Sequence, residues 1–165
     1  MIYVLDTSSL RSLQHFYPSV FKTIWEGLDS LVQQQNLVST REVWNEIELQ
    51  NVSADVLAWS KQNKKIFTTP NAAELKFVTQ ILKITHFQSL IGERQRLKGT
   101  PVADPFVIAC AKIKGGTVVT EEGWLRVTAI LTPKPNAAKI PNVCHHFNVP
   151  CINLEEFMRQ QGWVF

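Results

Sequence analysis

Two patterns of hydrophobic residues alternate along this chain. Short apolar runs that stop at polar residues are typical of strands buried in a sheet, and they occur at 2–5, 37–38, 66–68, 117–120 and 149–152. Longer segments that repeat apolar residues every three or four positions indicate helices. These lie at 19–35, 39–50, 53–61, 71–91 with an interruption at 85–87, 104–113 and 154–161. Strands separated by helices predict an α/β fold with a mainly parallel sheet, because parallel neighbours need long crossovers.

The length and composition are those of one domain. The chain has 165 residues, 45% of them hydrophobic, which is enough to fill a three-layer domain over 1–165 without disulfides or a structural metal. Its 3 cysteines are an odd number and its start is strand-like, so we expect a cytoplasmic protein. No apolar run approaches the roughly 18–20 residues that span a bilayer, and we expect no membrane partner. The net charge of +3 is too mild to demonstrate a polyanionic partner.

Acidic residues stand at junctions between the predicted strands and helices. They are Asp6 after the first strand, Glu46 on the helix after the second, Asp104 at the start of a later helix and Glu122 after the strand at 117–120. In parallel sheets ligands bind beyond the carboxyl ends of the strands, so we expect these side chains at one rim. Clustered carboxylates repel one another unless cations hold them, and oxygen donors suit Mg²⁺ or Mn²⁺. The pattern therefore predicts a divalent metal site.

The two aspartates also have a structural interpretation. Asp6 precedes a helix-starting sequence, and Asp104 is followed by Pro105, which is favoured at the first position of a helix. Both are therefore predicted helix caps. A carboxylate that caps a helix with one oxygen can still offer the other to a cation, so the two roles are compatible.

Each of the two glutamates has a neighbour that competes with it for the site. Ser39 and Glu42 fit a capping box, which would turn Glu42 back toward the backbone and leave Glu46 to project from the first turns of the helix. Glu121 and Glu122 point to opposite sides if the strand continues. The alternation does not decide which of these two enters the site.

Other clusters have plainer explanations. The segment Cys144-His145-His146 with Cys151 lacks the usual zinc-ligand spacing, so we predict buried cysteines and surface histidines. Basic residues at 61–65 and in a predicted loop at 92–99 suit either phosphate contact or ordinary solvation: Lys61, Lys64, Lys65, Arg94, Arg96 and Lys98. The proline-rich stretch 132–141 is predicted to be a surface loop.

The acidic motifs, taken in order, resemble those of PIN domains. The resemblance rests on the opening strand that ends in Asp6-Thr7-Ser8, the helix bearing Glu46, the Ala-Asp104-Pro-x-x-Ile-Ala start of a later helix, and the sequence from Val118 to Glu122. It covers nearly the whole chain. It implies an α/β/α sandwich around a parallel sheet, with the four acids as metal ligands and Ser8 as a polar support for the first aspartate. Glu122 is preferred over Glu121 because the last acid of the family usually stands two residues after a threonine.

The resemblance also implies an activity. PIN domains similar to the VapC-like toxins are Mg²⁺- or Mn²⁺-dependent ribonucleases, often paired with an antitoxin protein and often homodimeric. We therefore expect an endoribonuclease in which Asp6, Glu46, Asp104 and Glu122 are the catalytic and metal-binding residues, with RNA as substrate. The alternative is a catalytically inactive PIN-like module that binds nucleic acid or protein. Metal-dependent cleavage distinguishes the two.

Overall fold

A five-stranded, all-parallel sheet forms the centre of the molecule. The computed structural model describes residues 1–91, 102–123 and 138–164. The strands are β1 (Tyr3–Leu5), β2 (Leu37–Thr40), β3 (Phe67–Thr68), β4 (Thr117–Val119) and β5 (Cys151–Ile152), in the order β3-β2-β1-β4-β5. Strand β1 pairs with both β2 and β4, so it occupies the middle of the sheet, and its residues Tyr3, Val4 and Leu5 are buried. The predicted α/β class with a parallel sheet is confirmed.

Helices cover the sheet on both faces, as in a three-layer α/β/α sandwich. In the described ranges they are α1 (Thr7–Ser12), α2 (Lys22–Gln33), α3 (Arg41–Leu49), α4 (Ala54–Gln62), α5 (Ala72–Lys83), α6 (Asp104–Lys114), α7 (Ile140–His146) and α8 (Leu154–Gln160). Short 3₁₀ segments follow α1, α4 and α5 at Leu13–His15, Lys64–Ile66 and Thr85–Leu90. None of the helices in these ranges has the length and apolar character needed to cross a membrane.

Side-chain contacts assign helices to the two faces of the sheet. On one face, the Tyr3 ring packs edge-on against Phe157 of α8 at 4.9 Å, and Trp25 of α2 packs against Trp59 of α4 at 6.3 Å. On the other face, α6 packs against β1, β2, β4, α5 and α7. The carboxyl ends of the strands lead into the helix starts at one rim, which is where the acidic residues were predicted to meet.

Helix ends follow the sequence signals at several positions. Ser53 caps α4 by accepting a hydrogen bond from the Val56 backbone nitrogen at 3.3 Å, as predicted. Gly115 ends α6 with a left-handed φ of 64°, which a residue without a Cβ adopts easily. The predicted interruption of the helix at 71–91 is also confirmed, because α5 stops at Lys83 and a 3₁₀ segment follows.

Three local predictions were wrong. Ser39 does not start a capping box, because β2 continues through Thr40; the Ser39 hydroxyl donates to the Leu5 carbonyl and Thr40 caps α3. Asp104 does not cap its helix: Ala103 occupies the cap position, so Asp104 is already inside the first turn. The predicted loop at 132–141 ends too late, because α7 begins at Ile140.

Some predictions lie outside the described residues. The loop at 92–99 and its basic residues Arg94, Arg96 and Lys98 are among them, as is the part of the 132–141 segment before Ala138.

Candidate functional site

A polar cleft lies at the carboxyl edge of the sheet. It has a volume of about 380 Å³, and all four of the predicted acids line it: Asp6, Glu46, Asp104 and Glu122. They come from the end of β1, from α3, from the first turn of α6 and from the segment after β4. The sheet topology explains the meeting, since β1 lies between β2 and β4 and the chain leaves all three strands at the same edge.

Asp6 is the most firmly held of these acids. Its Oδ1 accepts a hydrogen bond from the Ser9 backbone nitrogen at 2.7 Å, which caps α1 as predicted. Its Oδ2 accepts from the Thr120 hydroxyl at 2.7 Å and from the Ser8 hydroxyl at 2.8 Å. Burial raises the pKa of Asp6 above its usual value, although these hydrogen bonds act in the opposite direction. Ser8 therefore supports the first aspartate, as the family resemblance implies.

Glu46 is also held by hydrogen bonds from two elements. Its Oε2 accepts from the Thr7 hydroxyl, and its Oε1 accepts from the Ala103 backbone nitrogen at 3.1 Å. Burial is the main reason that the pKa of Glu46 is raised, and the negative charge of Asp6 adds to it. These contacts connect α1, α3 and the start of α6 around one carboxylate.

Glu46 lines the cleft and Glu42 does not, as predicted, but the capping-box argument for this choice was wrong. The structure has no capping box at Ser39. Glu42 is instead buried, accepts a hydrogen bond from Arg41 at 2.9 Å and does not line the cleft.

Asp104 and Glu122 differ from the other two acids. Within the described ranges, neither carboxylate accepts a hydrogen bond from a protein group. Burial, then the negative charges of Glu122, Asp6 and Glu46, raise the pKa of Asp104 well above its usual value. Burial and the charge of Asp6 likewise raise the pKa of Glu122. These two carboxylates are therefore the ones with oxygens left to bind a ligand.

Glu121 is directed away from the cleft. Its Oε1 accepts a hydrogen bond from the Leu154 backbone nitrogen at 2.6 Å, at the first residue of α8. Among the two adjacent glutamates, Glu122 alone lines the cleft. The alternation argument could not make this choice, because the side-chain directions depend on where β4 stops.

The donor set suits a hard cation. The cleft lining offers carboxylate and hydroxyl oxygens, and among the described residues it contains no histidine or cysteine. Such oxygens are the ligands that Mg²⁺ and Mn²⁺ prefer. As the side chains stand, no three Asp, Glu, His or Cys residues of the described ranges are close enough together to hold one ion. Binding by three of these carboxylates therefore requires a side-chain movement, for which the unbonded oxygens of Asp104 and Glu122 are available.

Several residues that complete the cleft were not singled out as site residues from the sequence. Thr7 and Thr120 donate hydrogen bonds to Glu46 and Asp6, and Arg11 and Lys139 line the cleft. Thr7 and Thr120 lie beside predicted site residues, so their positions carried a signal. Arg11 and Lys139 are single basic residues far apart in sequence, and only the fold brings them to one place.

The remaining clusters do not form a second site of the same kind. Cys144 is buried and His145 and His146 are exposed, as predicted, whereas Cys151 is only partly buried. No zinc-type group forms among the described residues. A mainly apolar pocket of about 750 Å³ lies between the segment after α1 and helix α8, and its lining includes Phe16, Met158 and Trp163. It lacks the converging carboxylates of the polar cleft.

Comparisons with known proteins identify a family but give no activity. The crystal structure of PAE2754 from Pyrobaculum aerophilum aligns with 17% sequence identity and a TM-score of 0.45, covering 98% of this chain and 97% of that chain. Comparison with curated proteins finds no match. The model of the family described as a domain of unknown function (DUF4411) matches residues 3–165. This chain therefore belongs to the DUF4411 family.

Proposed function

We propose that this protein is a metal-dependent endoribonuclease that hydrolyses RNA phosphodiester bonds in the polar cleft. The observation that carries the proposal is the meeting of Asp6, Glu46, Asp104 and Glu122 in one cleft without a basic residue in ion-pair contact. That last statement holds for the described ranges. Ionised carboxylates this close repel one another, and a divalent cation is the usual solution in proteins.

The residues divide into two pairs with different roles. Hydrogen bonds fix Asp6 and Glu46, so they form a rigid base for the site. Asp104 and Glu122 have oxygens without protein partners and are the ligands free to adjust. A divalent cation bound by these acids would lower the pKa of a water and stabilise charge on the leaving oxygen. The resemblance to PIN domains supports the same assignment.

In the proposed hydrolysis the atoms balance simply. The oxygen of a water forms a bond to phosphorus, the bond from phosphorus to the leaving ribose oxygen breaks, and that oxygen takes up a proton. The proton that the water loses passes to a carboxylate oxygen that does not bind the cation, and Asp104 and Glu122 are the cleft carboxylates whose oxygens have no protein hydrogen bond within the described ranges.

Cleavage of a labelled RNA by purified protein tests the proposal. We expect products with Mg²⁺ or Mn²⁺ and none with EDTA. Asp104→Asn keeps the size of the side chain and removes its charge, so the rate should fall about a hundredfold or more. Glu121→Gln is the matched control: it removes a neighbouring charge outside the cleft while keeping the oxygen that accepts from Leu154, and it should cut at the parental rate. Parental activity in Asp104→Asn would contradict the assignment.

The chemistry of the cut ends separates this activity from contaminating ribonucleases. Attack by water leaves one phosphate and one hydroxyl end. Attack by the ribose 2′-hydroxyl, which needs no metal, leaves a 2′,3′-cyclic phosphate. We expect no cyclic phosphate among the products.

The toxin role and the partners stay predictions from the resemblance. If the chain is the toxin of a toxin-antitoxin pair, expression of the parent should arrest bacterial growth and expression of Asp104→Asn should not. Co-expression with a cognate antitoxin protein should relieve the arrest, and the antitoxin should co-purify with the chain. Gel filtration tests the predicted homodimer. An inactive interaction module predicts RNA or protein binding without cleavage under any metal condition.

A further inference from the structure

Two basic residues, Arg11 and Lys139, form part of the lining of the acidic cleft. Arg11 stands four residues after Thr7 on α1, so both lie on the same face of that helix. Lys139 immediately precedes α7, and its backbone nitrogen donates to Asn142 Oδ1 at 2.7 Å. Both residues are exposed, and neither forms a salt bridge within the described ranges. Each is therefore a cation held at the site without a protein anion in contact.

Both positive charges lie close enough to the acids to affect them. Burial is the largest influence and raises the pKa of Glu46 and of Glu122, while the charge of Arg11 lowers both values. Lys139 acts in the same direction on Asp104 and Glu122, again against the larger effect of burial. Both cations therefore act on Glu122, and in addition Arg11 acts on Glu46 and Lys139 on Asp104.

The turn after Glu122 explains how Lys139 is placed. Gly123 has a φ of 80°, and a Cβ atom built on it would lie 3.2 Å from the Cβ of Lys139. The absence of a side chain at Gly123 lets the backbone of the two segments approach closely. Lys139 is consequently positioned beside Glu122 by backbone packing and by Asn142, which leaves its ammonium group free for an external ligand.

The charges of the lining indicate what that ligand is. Four carboxylates and two bases line the cleft, so it carries a formal charge of −2 when all are ionised. This negative charge repels a phosphodiester. One divalent cation brings the net charge of the cleft to zero, which removes the repulsion but does not by itself attract the phosphodiester. We propose that Arg11 and Lys139 bind backbone phosphates of the RNA and position it over the carboxylates. This inference rests on the proposed ribonuclease function and names residues that contact its substrate.

RNA binding and RNA cleavage must be measured separately. Fluorescence anisotropy with a labelled oligoribonucleotide in Ca²⁺ reports binding, and cleavage in Mn²⁺ reports KM and kcat. In Arg11→Gln and in Lys139→Gln we expect RNA affinity to fall about ten- to hundredfold and KM to rise, as for loss of a charge-assisted phosphate contact. For each lost contact the slope of log affinity against log salt should become shallower by about 0.7. Lys22→Gln, an exposed lysine outside the lining, is the matched control and should behave as the parent.

A structural role would not produce the same set of results. In saturating Mn²⁺ the melting temperature of each variant should stay close to that of the parent, whereas in EDTA it should fall, because each cation offsets part of the repulsion among the cleft acids. Oligoribonucleotides with one uncharged methylphosphonate supply a finer test: at the contacted phosphate, the modification and Arg11→Gln should each weaken binding, and together they should weaken it no further.

The outcomes distinguish this inference from the nuclease proposal. Weaker binding and a shallower salt slope in the two variants support the inference, even if the parent never cleaves RNA and the nuclease proposal fails. Cleavage by the parent with unchanged KM and salt slope in both variants overturns the phosphate contacts and leaves the nuclease standing. Failure of the parent to bind the oligoribonucleotide overturns the inference as well.

Discussion

The hydroxyl of Thr120 is the contact whose removal should show most clearly how the cleft is held together. Thr120 is fully buried, its Oγ1 donates to Asp6 Oδ2 at 2.7 Å, and the same oxygen accepts from the Glu122 backbone nitrogen at 3.1 Å. Thr120→Val replaces this hydroxyl by a methyl group of similar size. The substitution therefore removes hydrogen bonds to two of the site segments without opening a cavity.

The expected cost follows from the kinds of bond that are lost. A hydrogen bond to a charged group contributes about 1.5–3 kcal/mol and a neutral one about 1 kcal/mol. The free energy of unfolding should thus fall by about 2.5–4 kcal/mol, which for a domain of this size lowers the melting temperature by about 5–16 °C. Because the Thr120 bond lowers the pKa of Asp6, its loss should raise that pKa further. The acid limb of the cleavage profile should then move to higher pH.

Thr68→Val provides the comparison for this prediction. Thr68 ends β3 on the same sheet, and its hydroxyl donates to the uncharged Ser39 carbonyl at 3.2 Å. Its loss should cost about 0.5–1.5 kcal/mol. Thermal melts of both variants and of the parent at pH 7 measure the difference. If Thr120→Val were no less stable than Thr68→Val, the view that Thr120 supports an ionised Asp6 would be refuted.

Four further results are expected from the same geometry. The pKa values of the cleft carboxyls are raised above the usual 3.8 for Asp and 4.5 for Glu, so above those pH values the folded state binds more protons than the unfolded state. In EDTA the melting temperature should therefore fall as the pH rises through the raised pKa values, and Mn²⁺ should restore it. Mn²⁺ at a hundred times its Kd should raise the free energy of unfolding of the parent by about 2.7 kcal/mol. Asp104→Asn should melt at a higher temperature than the parent in EDTA, but Mn²⁺ should raise its melting temperature little. Glu121→Ala removes only the acceptor for the Leu154 backbone nitrogen, so its free energy of unfolding should fall by about 1 kcal/mol while its RNA cleavage rate equals that of the parent. A slower cleavage rate would contradict this. Burial raises the pKa of the Cys110 thiol to about 12, so alkylation at pH 8 followed by mass spectrometry should modify it only after unfolding.

The sequence was most informative where a signal depends on local geometry alone. The strand predicted at 2–5 and the Asp6 cap depend on residues within one turn of each other; the strand forms at Tyr3–Leu5, one residue shorter than predicted, and Asp6 caps α1 as predicted. The same reasoning failed at Ser39, because β2 continues one residue further to pair with β3 at Thr40. Pairing with a neighbouring strand is a tertiary effect that overrides a capping signal.

The sequence was sufficient to predict the acidic residues of the site, but not the contacts that surround and support them. Parallel topology alone brings carboxyl-edge residues together, so the meeting of the acids follows from the order of strands and helices. The arrangement of Arg11 and Lys139 depends on how α1 and the start of α7 pack, and no pattern along the chain reports this. Similarly, Glu121 and Glu122 are separated by a contact with Leu154, more than thirty residues away.

An anomalous difference map from crystals grown with Mn²⁺ would show whether the acids of the cleft hold a divalent cation. We predict a strong peak in the cleft within about 2.5 Å of a carboxylate oxygen of Asp104 and of at least one more of the four acids, and no such peak in Asp104→Asn crystals. A cleft without anomalous density at saturating Mn²⁺, or a peak held by residues elsewhere on the chain, would contradict it.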